Sequence, residues 1–267
     1  MPLMSRGELK IDFTDDGDGE NVVLIHSSVS GNRQWKRLVH ELKDRFRVLA
    51  PNLYGYGETT PWQMDGTQTL ADHVTLIETV CDSISGPIRL VGHSFGGAVA
   101  LKVAANLGDR VSHLALYEPN PFYLLKLDGR TEAFAEAMAM HDDVKTLGKQ
   151  GNWTALAERF AEYFSGDGSW AQMPAERRAA FSKLLLPNYY EWDCVHSDAT
   201  TVEVFAKLRT KTLLIHSANT RLALREIAEL FRGACPHWTF VTIPDGGHMA
   251  PLTRPDLVNP IVKRFLD

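Results

Sequence analysis

The sequence predicts an α/β protein: a doubly wound, mostly parallel sheet interrupted once by a helical insertion. Three observations carry this. Apolar runs of strand length recur along the chain, each followed by a segment of helical periodicity. The alternation stops between Pro121 and Thr200, where no core strand is legible and the pattern is helical. A Gly-x-Ser-x-Gly pentapeptide stands between one of the strands and the helix that follows it.

Residues 9–13 read as a short first strand, ended by the turn Asp15-Asp16-Gly17-Asp18-Gly19. Residues 21–26 form an apolar run flanked by turn residues, which suits a strand covered on both faces. The same signature recurs at 46–50, 88–92, 111–117, 212–216 and 238–243. Spacing near 3.6 over 34–42, 70–84, 97–106, 222–231 and 257–265 supplies the helices between them. Within the insertion, 131–140, 153–164 and 174–186 are helix-like. The insertion is rich in aromatics, among them Phe122, Tyr123, Phe160, Phe164 and Trp192, most of which are expected to form its own small core. It is expected to lie over the C-terminal edge of the sheet, where open α/β sheets bind ligands. The core is accordingly assigned to residues 1–120 and 201–267, and the insertion to 121–200.

Bulk properties narrow the function. At 267 residues the chain suits one large α/β domain, or one domain with an inserted part. A net charge of -5 without a basic block argues against nucleic acid as a partner and leaves a small-molecule substrate. No apolar run approaches the roughly 20 residues that span a bilayer, and the first residues lack the apolar stretch of a secretory signal, so no membrane association is expected. Cys81, Cys194 and Cys235, odd in number and far apart, read as reduced core thiols of a cytoplasmic protein. The histidines show no metal-ligand spacing; neither metal nor cofactor is expected.

The strand at 88–91 runs into Gly92-His93-Ser94-Phe95-Gly96-Gly97 and then an Ala- and Val-rich helix. A serine at so sharp a strand-to-helix turn takes strained dihedrals and is crowded by residues two positions away. Gly92 and Gly96 remove the side chains that would clash, and the turn lifts the hydroxyl above the sheet. Ser94 is therefore the candidate nucleophile; the alternative is an ordinary glycine-rich turn.

This elbow, the strand-end His26-Ser27-Ser28, the turn Leu53-Tyr54-Gly55-Tyr56-Gly57 and the late Asp245-Gly246-Gly247-His248 together resemble the α/β-hydrolase superfamily, in the expected order and over nearly the whole chain. The resemblance implies an α/β-hydrolase fold, with an eight-stranded sheet and a helical cap inserted after the sixth strand. It also implies an esterase-like serine hydrolase with His248 as catalytic base. A loop after the last strand opens at the same sheet edge as the elbow, so an imidazole there can reach Ser94. His26 and His93 read as supports for their loops. His113, His141, His196 and His237 read as packing or surface residues.

The acid departs from the family pattern. An aspartate usually follows the seventh strand in a Gly-x-x-Asp turn; here Ser217-Ala218-Asn219-Thr220 holds no carboxylate. Glu118, at the end of the strand 111–117, is the preferred replacement. Some branches of the superfamily carry their acid there, the longer side chain helps to span the gap, and the order Ser94, Glu118, His248 agrees with nucleophile, acid, histidine. Pro119 is expected to hold Glu118 in extended backbone. A capping or ion-pairing role for Glu118, orientation of the histidine by Asn219, and a turn-shaping role for Asp245 are the alternatives. Oxyanion donors are expected from the backbone amides of Phe95 and Ser28, the latter in a loop where Ser27 replaces the family's usual glycine.

The implied reaction is cleavage of a small to medium apolar carboxylic ester through an acyl-enzyme. A serine at the elbow sets the chain apart from the dehalogenase and epoxide hydrolase branches, which use aspartate. Carbon–carbon bond hydrolysis, thioester cleavage or acyl transfer on the same fold are the rivals. A weakly catalytic ligand-binding protein is a rival of another class, motivated by the missing aspartate.

Overall fold

Strand burial dictates the layering. In β3 (Glu20–Ile25), Val22 and Leu24 point into one apolar cluster and Val23 and Ile25 into another, all four fully buried. A strand of this kind is stable only between two helical layers. In the computed structural model, which describes residues 2–63 and 66–267, the strands form one eight-stranded sheet. Besides β3 they are β1 (Leu3–Arg6), β2 (Leu9–Asp16), β4 (Phe46–Pro51), β5 (Ile88–His93), β6 (Val111–Tyr117), β7 (Lys211–Ser217) and β8 (Thr239–Ile243). Their order is β1-β2-β4-β3-β5-β6-β7-β8; β2 runs antiparallel to both neighbours and every other pairing is parallel.

One face is covered by α1 (Lys36–Leu42) and, from the chain's end, α12 (Ala250–Thr253) and α13 (Pro255–Leu266), through residues such as Leu38, Ala250, Val258 and Val262. The other is covered by α2 (Leu70–Asp82), α3 (Phe95–Leu107) and α11 (Leu222–Ala234). Between β6 and β7 lie α4 (Tyr123–Leu127), α5 (Thr131–Lys149), α6 (Trp153–Ser165), α7 (Ser169–Gln172), α8 (Ala175–Lys183), α9 (Leu185–Ser197) and α10 (Val202–Ala206). Among the described residues this segment contains no strand. It shares its apolar cluster with α2, α3 and α11 rather than forming a separate one. Glu136 accepts the Ala223 amide at the start of α11 (2.7 Å), and Lys102 on α3 bonds Asp198 (2.7 Å).

The sequence reading differs from the structure in several places, among them the short helices α4, α7, α10 and α12, which it did not assign. β1 was not legible: it is an exposed four-residue edge, without the apolar alternation of a core strand. The helix read as 131–140 is α5 and continues nine residues further, to Lys149, because Met140, Val144 and Gly148 keep a buried stripe among polar neighbours. The segment 174–186 is not one helix but α8 and the first turn of α9, divided at Leu184.

The parallel register puts the site at one edge. His93 pairs with Tyr117, Tyr117 with Ile215, and Ser217 with Ile243, so β5, β6, β7 and β8 end together. At the elbow a Cβ on Gly96 would stand 2.4 Å from the carbonyl oxygens of Ile25 and His26, which belong to the neighbouring strand end. Gly96→Ala is therefore expected to destabilise the fold by about 1–3 kcal/mol or more. Gly233→Ala, on the exposed side of α11 with nothing near the added methyl, should instead stabilise by about 0.4–1 kcal/mol. Urea unfolding of the two variants checks both signs.

Candidate active site

Ser94 occupies the turn between β5 and α3 at φ 54° and ψ −118°, a conformation that costs a non-glycine residue and persists only where the surroundings enforce it. The enforcement is visible. Ser94 N donates to Tyr117 O (3.0 Å) and Gly97 N to Ser94 O (2.9 Å). The Ser94 hydroxyl lies 2.9 Å from His248 Nε2.

His248 comes from the loop after β8, and four neighbours fix that loop. Tyr117 Oη donates to Gly247 O (2.6 Å), and Gly247 N donates to both Ser217 Oγ and Asn219 Oδ1 (3.1 Å each). His93 Nε2 meets the His248 carbonyl at 2.9 Å, so that nitrogen carries the proton. Burial drives the His93 pKa well below its ordinary value, which keeps the ring neutral in this role. His26 is likewise a support: its Nε2 accepts Leu53 N at 3.0 Å, and burial lowers its pKa to about 4.

Glu118 ends β6. Its Oε2 lies 2.7 Å from His248 Nδ1 and takes the Thr220 hydroxyl at 2.8 Å, while Oε1 takes the Ser217 amide at 2.8 Å. A carboxylate is an obligate acceptor, so Nδ1 carries the imidazole proton and Nε2 is left to accept the serine proton. Both side chains are buried. Glu118 is not in the extended backbone that Pro119 was expected to impose; its φ is 41°. The three bonds to its carboxylate, together with Glu118 N donating to Ile215 O (2.9 Å), turn the residue back toward β7 and hold it there.

Asn219 does not reach the imidazole. It accepts from Ser217 Oγ and the Gly247 amide and so builds the turn. Asp245 pairs with Arg254 Nη1 at 3.2 Å on the outside of the same loop. Thr220 and Ser217, which replace the expected acid and glycine, serve Glu118 as donors.

Near Ser94, the backbone amides of Phe95, first in α3, and of Ser28 lack acceptors among the described residues. The amides on either side of Ser28 are occupied: Ser27 N donates to Gln34 Oε1 (3.1 Å) and Val29 N to Tyr56 Oη (2.9 Å). Ser28, Ser94 and Phe95 line a narrow cleft with Phe160, Phe164 and Trp192 of the insertion, with free space of only about 10 Å³. The Phe164 ring lies 4.6 Å from that of His248. A second, larger depression of about 440 Å³ is lined by His248 and Phe164 but not by Ser94.

Sequence reasoning missed Glu191. This α9 residue lines the cavity at 1% exposure, and its Oε2 accepts the Ser28 hydroxyl at 2.5 Å. Burial raises its pKa from 4.5 to about 7. The available signal was one carboxylate within the aromatic run Tyr189-Tyr190-Glu191-Trp192.

The profile of the alpha/beta hydrolase family matches residues 22–261. The chain belongs to this family. Among curated relatives, this α/β hydrolase is 29% identical to lipase LipV of Mycobacterium tuberculosis over 92% of each chain. It is 25% identical to a pimeloyl-[acyl-carrier protein] methyl ester esterase of Nitrosomonas europaea, over 90% of this chain and 93% of that one. Among solved structures, the α/β hydrolase MGS-M2 from a Medee basin deep-sea metagenome library superposes with a TM-score of 0.86 over 99% of this chain and 97% of that one at 16% identity, which speaks to fold alone. No helix among the described residues is long and apolar enough to cross a membrane.

The raised Glu191 pKa has a consequence for stability. Between pH 4.5 and about 7 the folded α/β hydrolase holds a proton that the unfolded chain has released, so stability is lost as pH rises through this window. Stability of the wild type relative to Glu191→Gln, which cannot ionise, is expected to fall by roughly 1–3 kcal/mol from about pH 5 to about pH 8. Urea titrations of both proteins across that range measure it.

Proposed function

We propose that this α/β hydrolase cleaves small to medium apolar carboxylic esters through an acyl-enzyme on Ser94. The observation that carries the reading is the continuous relay Ser94 Oγ, His248 Nε2, His248 Nδ1, Glu118 Oε2, with spacings of 2.9 and 2.7 Å. A serine hydroxyl is a weak nucleophile until a base takes its proton. In the proposed reaction His248 takes that proton as Ser94 attacks the ester carbonyl, and buried Glu118 stabilises the imidazolium and holds its tautomer. The Phe95 and Ser28 amides donate to the oxyanion, each worth roughly 3–4 kcal/mol in comparable sites. His248 then protonates the leaving alcohol. Water, deprotonated by the same imidazole, attacks the acyl-enzyme and releases the acid and the free Ser94 hydroxyl.

The acyl-binding wall in this reading is the apolar side of the cavity formed by Phe95, Phe160, Phe164 and Trp192. The helices between β6 and β7 act as a cap over this narrow cleft. A lipase and a methyl ester esterase among the relatives support ester cleavage. Three buried free cysteines fit a reducing compartment, and the proposal places the enzyme in the cytoplasm.

A fluorophosphonate probe is expected to label the wild type on Ser94 and leave Ser94→Ala unlabelled. On p-nitrophenyl butanoate, Glu118→Gln should lower kcat by about 10³–10⁴ while circular dichroism stays close to wild type. Near-normal turnover by Glu118→Gln would move the orienting role to another residue, and an unlabelled wild type would remove the serine mechanism.

A further inference from the structure

The cavity contains a carboxyl group that the proposed acyl transfer does not use. Glu191 Oε2 is occupied by the Ser28 hydroxyl (2.5 Å) and, more loosely, by Asn188 Nδ2 (3.4 Å). Oε1 is buried and has no hydrogen-bond partner among the described residues. The groups facing the carboxyl are Ser28 from the loop after β3, Tyr56 from the loop after β4, and Asn188 and Cys194 from α9 itself. The Tyr56 hydroxyl is close to the carboxyl, but no hydrogen bond of normal geometry joins them. None of these groups is cationic, and no Lys or Arg lines the cavity.

A buried carboxyl without a counter-charge is costly, and its usual partner is a cation or a second donor. The rest of the lining supplies aromatic faces: Phe95, Phe160, Phe164 and Trp192. Aromatic faces around a carboxylate attract an ammonium group both through the ring quadrupoles and through direct ion pairing. Position adds a further reason. Glu191 is bonded to Ser28, whose amide is a proposed oxyanion donor, so an ionised Glu191 alone would oppose negative charge building on the substrate. A cation on the substrate, beside Glu191, cancels that opposition.

We infer that Glu191 is a specificity-determining residue whose free oxygen receives a protonated amine on the substrate, making the substrate class small esters that carry an alkylammonium group. This rests on the ester-hydrolase reading above for the word ester, and on the cavity alone for the amine.

The test uses isosteric pairs that differ by one atom. Isopentyl butanoate and dimethylaminoethyl butanoate place the cation on the alcohol side. The ethyl esters of methylhexanoic and dimethylaminobutanoic acids place it on the acyl side. Titration calorimetry with Ser94→Ala at neutral pH should show the amine member of at least one pair binding roughly tenfold or more tightly than its hydrocarbon twin. Adding Glu191→Gln should bring that ratio to within about twofold, with the double variant's fold checked by circular dichroism. Equal affinities in both pairs, or tighter hydrocarbon members, overturn the inference without needing the Glu191 variant. A preference that survives Glu191→Gln in a folded protein also overturns it. Turnover by the wild type is read separately: if it hydrolyses neither member of either pair, the ester-hydrolase reading fails while the affinity ratio still decides the amine site.

Discussion

The arrangement at the sheet edge depends on one buried contact, between the Glu118 carboxylate and His248 Nδ1. Removing a carboxylate from water costs several kcal/mol unless the lost hydration is replaced. Here it is replaced by an imidazole N–H, a backbone amide and a threonine hydroxyl, which occupy both oxygens. The cost also appears in the backbone, as a positive φ at a glutamate. Removing any one donor leaves a buried acceptor short, so the loop after β7 and the loop after β8 are both tied to this side chain.

This explains how the family's usual acid can be absent without loss of the geometry. What an imidazole responds to is the position of a carboxylate oxygen, not the strand that delivers it. β6 and β7 are adjacent and in register at Tyr117 and Ile215, so their loops begin side by side. A glutamate leaving β6 reaches the space that an aspartate after β7 would fill. The residues left at the vacated turn, Ser217 and Thr220, then turn from acid carrier to donors for the acid. Serine in place of glycine adds a further bond, from the Gly247 amide to Ser217 Oγ, that fixes the histidine loop.

Most of the sheet was legible because its strands are buried on both faces and therefore read as continuous apolar runs, as Val22, Val23, Leu24 and Ile25 do. The elbow was legible because Gly92 and Gly96 are imposed by backbone oxygens within 2.5 Å of any added Cβ. The candidate residues Ser94, Glu118 and His248 each follow a strand end, so strand assignment alone brought them to one edge. The insertion was harder to read. α9 buries Leu185, Asn188, Glu191, Trp192, Cys194 and Val195, a set with two polar members and no single apolar stripe. α8 buries nothing and offers no periodic signal. Periodicity detects one-sided helices packed on an apolar core; a helix that lends polar groups to a cavity lacks that signature.

Two buried carboxyls at one site differ in how their oxygens are satisfied. Both are hidden from solvent, but Glu118 is surrounded by donors and faces an imidazole, whereas Glu191 has one short bond, one long bond and a free oxygen. Desolvation therefore dominates at Glu191 and raises its pKa to about 7. The same residue ties α9 to the loop bearing Ser28, while Phe164 of α6 lies against His248. The inserted helices thus touch the proposed base through a ring and the proposed oxyanion loop through a hydrogen bond. A shift of either helix would change the packing around His248 or the hydrogen bonding around Ser28 as well as the shape of the cavity. In the proposed reading, selectivity and rate are for that reason coupled by contact: the surface proposed to sort substrates also holds part of the proposed reacting geometry in place.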